Sequence, residues 1–141
     1  MKLYKNFNIS KNHKESIILI GNFDGIHLGH QKLFKLANSY KKKFNLNIGV
    51  LTFEPMPKMF FNKDITNFRI LNINQKNIIL KKLGVDFVIT QKFDKKFSAI
   101  KSDFFIKEIL SKKLKAQYIF VSNNFRFGNK REGDVKQLIK N

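Results

Sequence analysis

Apolar positions along the chain alternate between two periods, and the alternation predicts an α/β fold. The run Ser16-Ile17-Ile18-Leu19-Ile20 opens a segment to Phe23 that reads as a strand buried on both faces of a parallel sheet. From Leu28 to about Lys43 the pattern becomes helical: Leu33, Leu36, Ala37 and Tyr40 recur at i, i+3, i+4 and i+7. Leu46 to Phe53 is a second strand, ended by Pro55 and Pro57. Asn74 to Leu83 returns to helical spacing through Ile78, Ile79 and Leu83, and Gly84 is the expected stop. Asp86 to Thr90 is a third strand. Ser102-Asp103 is expected to cap a helix from Phe104 to Leu114 that buries Phe105, Ile106, Ile109 and Leu110. Tyr118 to Ser122 is a fourth strand, and a last helix is expected to start near Gly133-Asp134.

Strands alternating with helices of this length imply right-handed crossovers and a doubly wound parallel sheet. Such sheets bind ligands outside the carboxyl ends of their strands, near a switch in strand order. The loops after the first, second and fourth of these strands carry the unusual residues of the chain.

The first loop is Gly21-Asn22-Phe23-Asp24-Gly25-Ile26-His27-Leu28-Gly29-His30. Gly21, Gly25 and Gly29 allow close approaches that a Cβ would block. A helix beginning near Leu28 offers the free N–H groups and positive dipole end that favour phosphate. His27 and His30, at i and i+3, project to the same side and can donate hydrogen bonds to phosphate oxygens. Together these features suit a nucleoside triphosphate whose transferring group needs charge stabilisation. Taken alone, two histidines three apart are also what an incidental surface pair or half a metal site looks like. The chain has no Cys and only one other histidine, His13, which disfavours a metal site.

The second loop, Phe53-Glu54-Pro55-Met56-Pro57-Lys58-Met59-Phe60-Phe61, contains both prolines of the chain. Their fixed φ makes a rigid wall on which aromatic and Met side chains can meet a flat ring, or pack in the core. The third loop, Ser122-Asn123-Asn124-Phe125-Arg126-Phe127-Gly128, sets one of only three arginines between two Phe, where it can stack or pair with an anion. Asn124 can both donate and accept, which suits orienting a phosphate or a ligand amide.

Composition narrows the class. At 141 residues, with 43% hydrophobic content and 16 Phe, the chain fits one packed domain. Zero Cys excludes a disulfide framework and fits a reducing cytosol. No stretch approaches the roughly 18 continuous apolar residues of a membrane span. The start Met1-Lys2-Leu3-Tyr4-Lys5-Asn6 has no apolar signal core, so a cytoplasmic protein without membrane partners is expected. The net charge of +18 invites a nucleic-acid reading. However, 25 of the 28 basic residues are Lys, and Lys, Asn, Ile and Phe make 74 of 141 residues, a drift spread over the whole chain. Lysine lacks the fork by which arginine reads phosphate and guanine. The runs Lys41-Lys42-Lys43, Lys95-Lys96 and Lys112-Lys113 read as solvated faces, and nucleic acid is not the expected partner.

With all three loops in hand, the sequence resembles bacterial FAD synthase, the bifunctional riboflavin kinase and FMN adenylyltransferase, in its N-terminal nucleotidyltransferase half. The family motif Gly-x-Phe-Asp-Gly-x-His-x-Gly-His is complete between Gly21 and His30. Its Phe-x-Pro-x-Pro loop matches Phe53, Pro55 and Pro57, with Met56 where the family commonly has His. An Arg-Leu-like element matches at Arg69, and Lys76 to Gly84 and Phe93 to Phe97 follow at similar spacing. The last segment matches at Asn124, Phe125, Phe127 and Gly128, with Ser122 in place of a glycine. The resemblance implies a Rossmann-like sheet of the His-x-Gly-His nucleotidyltransferase type and transfer of AMP from ATP to FMN, with magnesium assisting, giving FAD and pyrophosphate. It implies that His27 and His30 hold ATP phosphates, that Gly21, Phe23, Asp24 and Gly29 shape the ATP pocket, and that Asn124 orients phosphate or magnesium. Phe53, Pro55, Pro57, Arg69, Phe125, Phe127 and Gly128 would form the FMN side.

The resemblance also implies a second phosphate-binding motif, Ser-Ser-Thr-x-x-Arg, and a riboflavin kinase domain, neither of which lies within the 141 residues. Adenylyl transfer by the chain as it stands is therefore expected to be weak or absent, and riboflavin kinase activity missing. Two other readings stand beside this one. Another small nucleotidyltransferase would keep His27 and His30 but give no role to the other two loops. In a basic nucleic-acid-binding protein the Gly21–His30 turn would be accidental.

Overall fold

The computed structural model describes residues 1–23, 28–54, 73–121, 126–127 and 133–134, with side chains at all of these except 28, 29, 126, 127, 133 and 134. Five parallel strands form one sheet: β1 (Lys2–Tyr4), β2 (Ile17–Ile20), β3 (Ile48–Glu54), β4 (Phe87–Lys92) and β5 (Tyr118–Phe120), in the order β1-β4-β3-β2-β5. From β2 the chain steps outward to β3 and β4, then returns to the other side of β2 to lay down β5. The strand order therefore switches at β2, which pairs Ile17 with Ile48 on one side and with Tyr118 on the other.

All four residues of β2 are buried, as its unbroken apolar run demands. Ile17 and Leu19 face one layer with Ile48, Val50 and Val88, covered by Phe34 and Ala37 of α1 (Leu28–Phe44) and Leu80 of α2 (Ile73–Lys82). Ile18 and Ile20 face the other layer with Leu51, Phe53, Phe87 and Ile89. That layer is closed by α4 (Ser102–Phe104) and the π-helix that continues it over Phe105–Lys113, through Phe105, Ile106, Ile109 and Leu110. The doubly wound parallel sheet expected from the sequence is thus present, with helices on both faces.

Several elements differ from the sequence reading. β1 carries no apolar run and is held by its backbone ladder to β4 (Lys2 to Phe87, Tyr4 to Ile89). The first predicted strand stops at Ile20 rather than Phe23, because Phe23 turns into the left-handed region at φ 52°. In α1, Leu36 is 47% exposed and Phe34 takes its place on the buried face. In α2, Ile78 is 58% exposed, and the face toward the sheet carries Leu80 and, unexpectedly, Lys76. Gly84 ends this segment at φ 92°, as predicted. α3 (Lys95–Ser98) was not expected; Asp94 caps it, accepting a 2.8 Å bond from the Phe97 N–H. Ser102 is not the cap of α4, which starts after Lys101 and makes no side-chain cap bond, so that Ser102 is buried within its first turn. Gly133 and Asp134 form β7, which pairs antiparallel with β6 (Arg126–Phe127), in place of a helix start. Extended pairing satisfies their backbone groups, and Gly-Asp is as much a turn signal as a cap.

Lys41 departs from the solvated reading of its run. Its ammonium donates to both carboxylate oxygens of Asp86 at 3.1 and 2.9 Å and to the Gly84 carbonyl at 3.1 Å. Asp86 also accepts a 2.8 Å bond from the Ile48 N–H. One half-exposed carboxylate thereby ties the end of α1 to the start of β3 and the entry to β4. His13 lies at this same amino-terminal end of the sheet, stacked on Phe87 at 4.5 Å and hydrogen-bonded to the Tyr4 hydroxyl at 2.7 Å. Burial pushes its pKa below the ordinary histidine value; Asp86 acts against that shift and Lys2 with it.

Candidate active site

β2, β3 and β5 all end at one edge of the sheet, and the three unusual loops leave from that edge beside the switch in strand order. The Gly21 N–H donates to the Leu51 carbonyl at 3.1 Å, so the chain stays on the ladder one residue past β2 before it departs. Two residues on, the buried Phe23 ring folds back beneath the turn. It meets the His30 ring edge-on at 5.1 Å and Phe34 at 5.2 Å. A Cβ at position 21 would stand 3.2 Å from the tip of the Phe23 ring, closer than such contacts normally allow. Gly21, Phe23 and His30 are thus one packed unit: the glycine admits the ring, and the ring supports the imidazole from below.

His30 is the third residue of α1, where backbone N–H groups lack intrahelical partners. That first turn carries no acidic side chain, so nothing there opposes an anion. Gly29 lies in the same turn of backbone. Asn22, between Gly21 and Phe23, has a buried side-chain carbonyl that accepts no hydrogen bond among the described residues. A buried acceptor left so costs about 1–3 kcal/mol, and the position suits a donor brought by a ligand.

Two further residues at this site escaped the sequence reading. Lys76 of α2 is only 4% exposed, and its ammonium donates to the Asn22 backbone carbonyl at 3.0 Å and to the Thr52 hydroxyl at 3.2 Å. Its signal in the sequence was a lysine in phase with Leu80 and Leu83 on the sheet-facing side of a helix. Thr52, 1% exposed, is a polar interruption of the same kind in β3.

The other predicted positions are distributed as follows. The Phe53 ring is in the core, against Phe93 at 5.8 Å and Phe97 at 5.6 Å. Phe127 is placed as backbone in β6, opposite Gly133. Asp24, His27, Pro55, Pro57, Arg69, Asn124, Phe125 and Gly128 lie outside the described residues. The structure therefore unites Gly21, Phe23, Gly29 and His30 in one turn and helix start. Among the described residues no three His, Asp or Glu are grouped to hold a metal.

Comparison with known proteins decides the family. The model of the FAD synthetase family matches residues 9–141. The chain belongs to the FAD synthetase family. It is 40% identical over 141 residues to the bifunctional riboflavin kinase/FMN adenylyltransferase of Buchnera aphidicola subsp. Schizaphis graminum, covering 98% of this chain and 45% of that protein. It is 38% identical over 142 residues to the protein of the same name from Escherichia coli strain K12, covering 99% and 45%. The chain thus spans about half the length of the curated relatives it matches. Among solved structures, one described as a macrolide-efflux protein from Streptococcus pneumoniae superposes with a TM-score of 0.78 at 29% identity, covering 96% of this chain and 46% of that one. Among the described residues, no helix is long and apolar enough to cross a membrane.

Proposed function

We propose that this chain transfers the adenylyl group of ATP to the phosphate of FMN, giving FAD and pyrophosphate in the cytoplasm. The observation that carries the reading is the Gly21–Phe23–His30 unit at the start of α1, at the carboxyl edge of the sheet where its strand order switches. A phosphate chain laid across that helix start meets free N–H groups, a positive dipole end and an imidazole held in place by the Phe23 ring. His27, three residues earlier, is assigned the partner role on the same phosphates.

The chemistry asks little else of the protein. A phosphate oxygen of FMN attacks the α-phosphorus of ATP, the new P–O bond forms, the bond to the β-phosphate oxygen breaks, and pyrophosphate leaves with the electron pair. No covalent protein intermediate is required, so positioning and stabilisation of the developing charge suffice. Magnesium arrives as part of the ATP substrate, ligated chiefly by its phosphate oxygens. Asn124, in the loop after β5, is assigned to orienting phosphate. Pro55, Pro57, Arg69, Phe125, Phe127 and Gly128 are assigned to the flavin side, because the segments that carry them follow β3 and β5 off the same edge.

Incubating the protein with ATP, magnesium and FMN and resolving the flavins by chromatography tests the reading. FAD should form, and His30→Ala should lower its rate at least tenfold, the scale of losing one charge-stabilising donor. Pyrophosphate released only with a different acceptor, or a salt-sensitive RNA complex without nucleotide binding, would replace the proposal with one of the other two readings.

A further inference from the structure

Lys76 occupies a position that a hydrophobe would fill at lower cost. It sits on the sheet-facing side of α2 one turn from Leu80, 4% exposed, and taking an ammonium out of water is expensive unless its donors are used. Two of them are used on one spot: the Asn22 carbonyl at 3.0 Å and the Thr52 hydroxyl at 3.2 Å. Thr52 is the β3 residue after Leu51, whose carbonyl receives the last ladder bond from Gly21. The lysine therefore grips the chain where the sheet stops holding it.

What that grip controls follows from peptide geometry. The Asn22 carbonyl and the Phe23 N–H belong to one planar trans peptide and point in opposite directions. Fixing the carbonyl on Lys76 fixes the Phe23 N–H away from it. Phe23 itself adopts φ 52°, a conformation that L-residues with large side chains rarely take unless the surroundings enforce it. The Phe23 ring, packed on Phe34 and under His30, enforces it on one side, and the Lys76 bond enforces it on the other.

We infer that Lys76 is a positioning residue for nucleotide binding: acting through the Asn22 carbonyl and steadied by Thr52, it sets the entry to the Gly21–His30 turn in the shape that receives ATP. The inference rests on the adenylyl-transfer reading. It assigns a working part to α2, a helix that otherwise only covers the sheet.

Lys76→Met keeps the stem and removes the donors, Lys76→Arg keeps donors, and Thr52→Val removes only the supporting hydroxyl. Each is compared with the parent by thermal melting, by titration with magnesium-ATP and by the separate KM values for ATP and FMN. Lys76→Met should stay folded at the assay temperature yet bind ATP about tenfold more weakly, as expected for losing a hydrogen bond to a charged group. KM for ATP should rise while KM for FMN stays, and Lys76→Arg should recover part of the loss. Unchanged ATP binding by Lys76→Met, alongside loss in His30→Ala, would overturn the role of Lys76 and leave the adenylyl-transfer reading standing. A parent protein that binds no ATP would overturn both. If Lys76→Met does not fold, Thr52→Val decides: a few-fold weaker affinity for ATP supports the inference, and parental affinity overturns it.

Discussion

At the scale of single residues, the site is explained by side chains that only make sense together. Gly21 was legible as a glycine that a tight turn needs, but not as the floor for a particular ring. The ring it admits, Phe23, in turn supports His30 at 5.1 Å. Gly21→Ala should push a Cβ against that ring at 3.2 Å, lowering stability by about 1 kcal/mol through overpacking. It should also weaken ATP binding several-fold by tilting the imidazole, which denaturant unfolding and ATP titration would check. Lys76 and Thr52 stayed hidden because pattern reading treats Lys and Thr as surface residues, and only burial in the fold shows them bonded beneath the turn.

At the scale of elements, α1, α2 and the strands β2 to β5 were readable because apolar period and stop signals agreed. Where they did not agree, tertiary context decided. Of the stripe Leu33, Leu36, Ala37 and Tyr40, only Leu36 faces solvent, and the unpredicted Phe34 joins the other three against the sheet. β1 left no hydrophobic signature, being an edge strand held by backbone pairing, and Gly133-Asp134 went into β7 rather than a helix. Connections between elements were also invisible in the sequence. Asp86 accepts from the Lys41 ammonium and the Ile48 N–H, joining α1, β3 and the entry to β4. Asp86→Ala leaves the Ile48 N–H without its acceptor and the Lys41 ammonium with the Gly84 carbonyl alone, and should cost about 1–2 kcal/mol of unfolding free energy, with ATP affinity unchanged because the clasp lies at the opposite edge of the sheet. Denaturant titration of the variant against the parent measures the first effect.

At the scale of the whole molecule, alternating strands and helices made the doubly wound sheet predictable, and the switch in strand order at β2 places the motif-bearing loops on one edge. The net charge of +18 is spread over the whole chain. Lys41 bonds Asp86, Lys76 holds the Asn22 carbonyl and the Thr52 hydroxyl, and Lys112 pairs with Glu108 at 3.1 Å on its own helix, so these three lysines serve local purposes. The proposed flavin side was legible only as motifs, since proline and aromatic loops have no period from which a shape can be derived.

The central claim is attack at the α-phosphorus of ATP by the phosphate of FMN. Supplying the protein with FMN and magnesium-ATP labelled at either the α- or the γ-phosphate, and following the label into flavin and pyrophosphate, tests it most directly. The α-label should appear in FAD and the γ-label in pyrophosphate. A γ-label on flavin, or no α-label in any flavin product, would contradict it.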